Sequence, residues 1–201
     1  MSAPIGGAVL LAAGFSRRFG SDKRRHRLAG GDMLMIATAR RLAAAFEHLV
    51  VVLRPEDDAL AAALLEAQLP AALQIVRCGD ASDGMGRSLA AGAAAAHAAG
   101  WHYLFVALAD MAWVDPATLT RLREALIAAQ ATDPSAIVQP EHDGRPGHPV
   151  GFASGWFDQL ERLQGDAGAR HLLQRPDAMP VRVAVADPGV LRDLDRPEPG
   201  T

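Results

Sequence analysis

The stretch AVLLAAGFSRRFGSDK, Ala8–Lys23, decides how the rest of the chain is interpreted. Its first six residues are apolar, which is typical of a strand buried on both faces of a sheet. The run stops at Gly14, and small and basic residues follow as far as Lys23. This change predicts a buried strand that surfaces beside an anionic ligand, with an ordinary loop carrying solvated arginines as the alternative.

The chemistry of this loop suits a triphosphate. Gly14 lets the backbone approach a ligand closely, and Arg18 and Lys23 add positive charge at the same place. The spacing is neither that of a Walker A loop nor the G-x-G-x-x-G of dinucleotide-binding proteins. The loop alone therefore indicates phosphate binding without identifying the class of enzyme.

Composition limits the broad class of protein. The chain has 201 residues, 50% of them hydrophobic, so we expect one domain spanning residues 1–201. A net charge of -3 gives no global attraction to nucleic acid or to anionic membranes. Cys78 is the single cysteine, which excludes an intrachain disulfide, and no apolar run approaches a membrane span of about 20 residues. We expect a cytoplasmic protein.

Apolar runs alternate with helical patterns along the first two thirds of the chain. This alternation predicts an α/β fold, a doubly wound three-layer sandwich around a mostly parallel sheet. Ligands of such sheets bind at the carboxyl ends of the strands, where Gly14, the segment 79–86 and Asp110 all fall. The predicted strands are Ala8–Ala13, His48–Arg54, Leu73–Cys78 and Tyr103–Asp110, and the predicted helices are Met33–Ala45, Arg87–Ala99 and Pro116–Gln130.

The last third is less regular. AIVQP and PVGFA predict two strands that flank a turn at Asp143–Gly144, and Val181–Asp187 predicts a further strand. Short helices are predicted over Gly155–Leu163 and Ala167–Gln174. We expect the final residues, RPEPGT, to be frayed.

Three polar segments carry candidate chemistry. Asp110 ends an apolar strand, where a carboxylate is costly unless it binds a cation such as Mg²⁺ or caps a loop. Ser88 follows a glycine-rich segment, and it either faces a ligand or caps the next helix. His148 and Arg170 lie in the motifs GRPGHPVGF and GDAGAR, and each has a structural alternative, such as pairing of Arg170 with Asp166.

These segments together resemble a known family. LAAGFSRRFGSDK resembles the signature L-A-[AG]-G-x-S-x-R-[MF]-G-x-x-K of the MobA-like nucleotidyltransferases. The later blocks GMGRSLAAG, LADMAWVDPATL, GRPGHPVGF, GDAGAR and DLDRPE resemble, in the same order, its molybdenum cofactor cytidylyltransferase branch. The resemblance implies a nucleotidyltransferase of Rossmann-like fold that transfers CMP from CTP to the phosphate of the molybdopterin cofactor and releases pyrophosphate. A molybdenum hydroxylase would receive the product.

The resemblance also implies roles for individual residues. Arg18, Lys23 and Asp110 would be catalytic, and Asp110 and Asp195 would bind Mg²⁺, with Mn²⁺ as a substitute. His148 and Arg170 would line the acceptor side. The implied nucleotide-binding residues are Leu11, Ala12, Ala13, Gly14, Lys23, Gly84 and Ser88.

The sequence departs from the family pattern at two places. Ala112 replaces the common proline after the Asp-Met pair, and Arg24, Arg25 and Arg27 replace apolar residues after the lysine. These arginines either meet an anionic acceptor or are solvated. Ala13 favours CTP over GTP, because in this family LAAG accompanies cytosine and LAGG accompanies guanine.

Other functions remain as alternatives. GTP, or a sugar or polyol phosphate acceptor, would keep the same chemistry with another substrate. A cofactor-delivery chaperone would bind without turnover, which the intact Lys23 and Asp110 argue against. A Rossmann oxidoreductase is disfavoured because the first turn lacks the dinucleotide glycines.

Overall fold

The computed structural model describes residues 3–15 and 19–194, whose eight strands form one sheet. Arg18, Asp195 and the tail RPEPGT lie outside the described residues. The strands are β1 (Gly6–Leu11), β2 (His48–Leu53), β3 (Ala72–Arg77), β4 (Tyr103–Leu108), β5 (Ile137–His142), β6 (Arg145–Pro146), β7 (Val150–Ala153) and β8 (Val181–Ala184).

The strand order is β3-β2-β1-β4-β7-β5-β6, and β8 pairs with β5. The first four strands are parallel, with Leu10 of β1 in register with Val51 of β2 and with Ala107 of β4. β7 runs antiparallel to β4 and to β5, and β8 is again parallel to β5. The prediction of a mostly parallel sheet is therefore confirmed.

Helices cover both faces of this sheet, as predicted. Alternate residues of β1 point to opposite faces, because side chains along a strand alternate. The helices are α1 (Leu34–Ala43), α2 (Asp58–Glu66), α3 (Met85–Ala98), α4 (Pro116–Gln130), α5 (Phe157–Glu161) and α6 (Arg170–Leu173). Ala8 and Leu10 pack with α1, α2 and α4, and Val9 and Leu11 pack with α3, α5 and α6.

The first two thirds of the chain match the predicted elements closely, with α4 spanning the predicted residues. The side chain of Asp115 accepts a hydrogen bond from the Ala117 N–H at 2.8 Å, which caps α4 and leaves Asp110 as the carboxylate available to the site. β3 is an edge strand with half-buried and exposed residues in place of a buried apolar run.

The last third adds an antiparallel region. The predicted turn is present, and both Asp143 and Gly144 have positive φ, at 50° and 72°, as a tight two-residue hairpin requires. This hairpin joins β5 to the two-residue strand β6, which was not predicted. The predicted helix over Ala167–Gln174 is shorter and covers only Arg170–Leu173.

Candidate functional site

A cleft of about 470 Å³ opens at the carboxyl ends of β1 and β4. One wall is the loop after β1, the opposite wall is the segment 81–88 at the start of α3, and Asp110 follows β4. Its lining residues are Leu11, Ala12, Gly14, Phe15, Phe19, Lys23, Arg24, Ala81, Ser82, Gly84, Met85, Ser88, Leu108, Ala109, Asp110 and Asp166.

The loop after β1 presents small residues and backbone to the cleft. Leu11, Ala12 and Gly14, all predicted to bind nucleotide, are among the lining residues. Ala13 is different, because its side chain is fully buried in the apolar core and does not line the cleft. Any influence of its methyl group on base choice would therefore act through the position of the loop backbone.

Lys23 and Asp110 meet in the cleft. Lys23 begins a 3₁₀ turn in which the Asp22 carboxylate accepts from the backbone N–H of Arg24, and this turn brings the lysine next to β4. The Lys23 Nζ donates a hydrogen bond to Asp110 Oδ2, although the two residues are 87 positions apart. Asp110 is only 9% exposed, so the cleft holds a largely desolvated carboxylate beside an ammonium group. These are the groups that a metal-bound triphosphate requires.

The second wall is formed by a close contact between two glycine-rich segments. Gly84 has φ of 107°, and a Cβ there would lie 2.4 Å from the carbonyl carbon of Gly165. The Gly86 N–H donates to the Gly165 oxygen at 2.8 Å. Predicted nucleotide contacts Gly84 and Ser88 both line the cleft.

This contact also brings a residue into the cleft that sequence reasoning missed. Asp166 lines it beside Gly84, although the motif GDAGAR was assigned to the acceptor side. The only signal available in the sequence was an acidic residue between two glycines. Its destination depends on packing against a segment some 80 residues earlier, which no local pattern encodes.

The C-terminal segment also approaches Asp110. The Leu194 N–H donates to the backbone oxygen of Asp110 at 3.3 Å. Asp195, the predicted second metal ligand, is the next residue in the chain but lies outside the described residues. Its role stays a prediction, and so does that of Arg18.

His148 lies near Asp110 and not in the cleft itself. The backbone N–H of His148 donates to the Val190 oxygen at 2.9 Å, and the residue lines a small cavity that includes Met111. Burial lowers the pKa of His148 below its usual value, although the charges of Asp110 and Asp193 act in the opposite direction. This shift favours a neutral imidazole near neutral pH.

Arg170 is the first residue of α6, where it is exposed and does not line the cleft. The acceptor-side roles of Arg170 and His148 stay predictions.

Arg24 neither meets an acceptor nor lies in solvent, the two roles predicted for it, but is part of a buried ion-pair cluster. Arg24 is 3% exposed and forms ion pairs with Asp22 and Asp57, so it is neither solvated nor free to meet an acceptor. Burial alone would lower the pKa of Arg24, but its hydrogen bonds to the two carboxylates raise it above the usual value. Arg25 is exposed, and Arg27 donates to the Gly31 oxygen at 2.7 Å.

Comparison with known proteins gives a consistent assignment. Residues 8–180 match the MobA-like NTP transferase domain. The chain is 30% identical over 202 residues to the purine catabolism protein PucB of Bacillus subtilis, covering 98% of this chain and 95% of that protein.

Several solved structures are similar to this chain over most of its length. Rv0371c from Mycobacterium tuberculosis is 27% identical with a TM-score of 0.75, over 92% of this chain and 90% of that one. A structure of Rv0371c in complex with manganese is 26% identical with a TM-score of 0.70, over 90% and 88% of the two chains. A nucleotidyl transferase from Methanothermobacter thermautotroptrophicus, 22% identical with a TM-score of 0.73 over 97% and 93%, shares the fold. Among the described residues, no helix combines the length and apolar character that a bilayer crossing needs.

Proposed function

The chain belongs to the MobA-like NTP transferase family, and from that premise we propose that it transfers CMP from CTP to the terminal phosphate of the molybdopterin cofactor. The observation that carries the proposal is the pairing of Lys23 with Asp110 in a cleft between two donor-rich segments. A nucleotidyltransferase needs a cation for the triphosphate and a carboxylate for a metal ion at one place, and this cleft holds both.

The proposed reaction is an in-line displacement. An oxygen of the acceptor phosphate forms a bond to the α-phosphorus of CTP, and the bond from that phosphorus to the bridging oxygen breaks. Pyrophosphate leaves with the electron pair of the broken bond. An ionised phosphate needs no general base, so the protein contributes orientation and charge neutralisation. Lys23 would neutralise charge on the leaving phosphates, with Arg18 assigned to the same task.

A divalent cation fits the residues of this cleft. The carboxylate of Asp110 provides the oxygen donor that Mg²⁺ and Mn²⁺ prefer, and it is directed at a cation already, the Lys23 ammonium. Asp195 is the proposed second ligand. When bound, the metal ion would withdraw charge from the triphosphate. The manganese complex of Rv0371c supports a metal of this kind in a related protein.

The proposed substrates follow from motifs of the sequence. CTP is favoured by Ala13 in the LAAG motif, and the molybdopterin acceptor by the GRPGHPVGF and GDAGAR blocks. A molybdenum hydroxylase is the proposed recipient of the product. GTP, a sugar or polyol phosphate acceptor, and a delivery role without turnover are the alternatives that an experiment must separate.

The test is pyrophosphate release measured with each of the four nucleoside triphosphates, with Mg²⁺ or Mn²⁺, and with molybdopterin or a polyol phosphate as acceptor. We expect release with CTP, molybdopterin and metal together, and none after chelation with EDTA. Turnover with GTP and none with CTP would refute the base assignment. Molybdopterin binding without pyrophosphate release from any nucleotide would favour the delivery role.

A further inference from the structure

Three consecutive carbonyl groups of the loop after β1 each accept a hydrogen bond from an arginine. Arg24 Nη1 donates to the Ala12 oxygen at 2.5 Å. Arg54 donates through Nε to the Ala13 oxygen at 3.0 Å and through Nη2 to the Gly14 oxygen. One side of the loop backbone is therefore occupied by guanidinium groups.

The planar peptide bond determines what the other side presents. In a trans peptide the carbonyl oxygen and the following N–H point in opposite directions. The N–H groups of Ala13, Gly14 and Phe15 must therefore point away from the two arginines. Within the described part of the chain these three N–H groups donate to no protein acceptor. Ala13 is fully buried, whereas Gly14 and Phe15 line the cleft, so two successive N–H donors are available on the cleft side.

The arginines are themselves held in place, chiefly by Asp57. The Arg24 guanidinium forms a bidentate contact with the carboxylate of Asp57, a residue that is 3% exposed. Asp57 Oδ2 also accepts from the backbone N–H of Arg54 at 3.0 Å. The guanidinium of Arg54 stacks on the Phe15 ring, 3.9 Å from its centroid. We refer to Arg24, Arg54 and Asp57 as the arginine clamp.

The charges of this region nearly cancel. The charges of Arg24 and Arg54 are balanced by those of Asp22 and Asp57, so the clamp together with Asp22 adds little net charge at the cleft. Lys23 supplies positive charge to the cleft, whereas the clamp supplies geometry. The distinction can be tested, because Arg54→Lys keeps the positive charge but loses the geometry of the guanidinium, whereas Arg54→Met loses both.

We infer that Arg24 and Arg54 are positioning residues that fix the peptides between Ala12 and Phe15, so that the successive N–H groups of Gly14 and Phe15 bind a phosphate group. The inference rests on the proposed function in one respect, namely that a triphosphate occupies the cleft. It does not depend on which base or acceptor is used, because the loop would contact phosphate alone.

The experiment measures binding of inorganic tripolyphosphate by calorimetry to the wild type and to three variants. Arg54→Met removes the guanidinium that donates to the Ala13 and Gly14 oxygens, and it should weaken tripolyphosphate binding about tenfold. Arg54→Lys keeps the charge but does not reproduce the planar fork, and should weaken it roughly threefold. Arg40→Met is the matched control, since the Arg40 guanidinium likewise donates to a backbone oxygen, that of Ala67, and to the carboxylate of Asp32, away from the cleft. Its binding should stay within about twofold of the wild type.

Amide resonances provide a readout that a merely structural role would not change. In the wild type, tripolyphosphate should shift the ¹⁵N–¹H signals of Gly14 and Phe15. In Arg54→Met those shifts should be lost, although the thermal midpoint stays close to that of Arg40→Met.

Each outcome supports or overturns the inference. Wild-type affinity in Arg54→Met, full affinity in Arg54→Lys, no binding by the wild type, or unshifted loop amides in the wild type would each overturn it. If Arg54→Met does not fold, Arg54→Lys decides the matter. A wild type that binds tripolyphosphate through these amides but turns over neither CTP nor molybdopterin would support the clamp and refute the substrate proposal.

Discussion

The sheet has two regions that reach the cleft in different ways. The first region is β1 to β4, and the second region is β5 to β8. The parallel strands β1 and β4 end at the same edge, so the loop after β1 and Asp110 arrive there directly. The second region lies on the far side of β4, beginning with the antiparallel β7, and reaches Asp110 through His148 and Leu194. The first region therefore forms the wall that follows β1 from local sequence, and the second adds contacts whose positions depend on distant pairings.

The comparison also separates two uses of buried charge. In the first region Arg24 and Asp57 are fully paired and serve structure. At the junction of the two regions, Asp110 is paired with Lys23 inside a cleft, where a ligand can exchange with either partner. Substitution in the first pair should thus lower stability and, through the loop that Arg24 positions, phosphate binding, whereas substitution in the second pair should chiefly lower turnover.

The largest expected effect is that of Asp110→Asn, which tests the junction. The amide keeps the shape but loses the charge proposed to hold a metal ion, so kcat for nucleotide transfer should fall about a thousandfold with the fold intact. Pyrophosphate release and circular dichroism measure the two quantities. Asp177→Asn removes an equivalent charge from an exposed pair with Arg175 and should leave turnover unchanged. Wild-type turnover in Asp110→Asn would refute the metal role.

Arg24→Met tests the structural pair in the first region. Loss of one member of a buried ion pair should lower the free energy of unfolding by about 3 kcal/mol, measured in urea at pH 7. Arg40→Met, in which the lost pair is exposed, should change it by no more than about 0.5 kcal/mol. Equal effects of the two substitutions would contradict the distinction drawn above.

The same variant should have an altered acid dependence. Burial raises the pKa of Asp22, but hydrogen bonds and charge from Arg24 outweigh it and hold the pKa below its ordinary value of 3.8. A carboxylate with a lowered pKa stabilises the fold above its unfolded pKa, and that stabilisation is lost as pH falls through the folded pKa. The stability difference between wild type and Arg24→Met should therefore shrink below about pH 4. A difference that is constant with pH would exclude this linkage.

Much of the first region could be predicted from sequence because its signals are local. The apolar run before Gly14 and the acid that ends β4 each lie within one strand and its loop. Parallel strands share one edge, so the meeting of these segments follows from the fold class. What could not be predicted is the partner of Arg24, since Asp57 is 33 residues away and an arginine after a phosphate loop has ordinary solvated explanations.

The second region was predicted less completely for the same physical reason. The Asp143–Gly144 turn was found because its residue types favour positive φ. The position of Asp166 was not found, because it depends on the fit between the backbones at Gly84 and Gly165. A pattern in one segment contains no information about such a fit.

Gly84→Ala tests whether that fit forms the second wall. The added Cβ would overlap the Gly165 backbone at a φ of 107°, so we expect a loss of about 2 kcal/mol in stability and a raised KM for the nucleotide. Gly79→Ala is the control in the same segment, because a Cβ there meets nothing within 4 Å. If both variants have the same KM and stability, the contact between the two segments does not shape the cleft.

The smallest expected effect is that of Ala13→Gly, which asks how a residue outside the cleft could influence the base. Its methyl group is buried beneath the loop, so its removal costs about 1 kcal/mol of stability and lets the loop backbone recede from the cleft. The ratio of kcat/KM for GTP to that for CTP should rise by no more than about tenfold, the lower end for a single methyl group, because the contact is indirect. A ratio that does not change would assign base choice to the opposite wall, where Gly84, Ser88 and Asp166 lie.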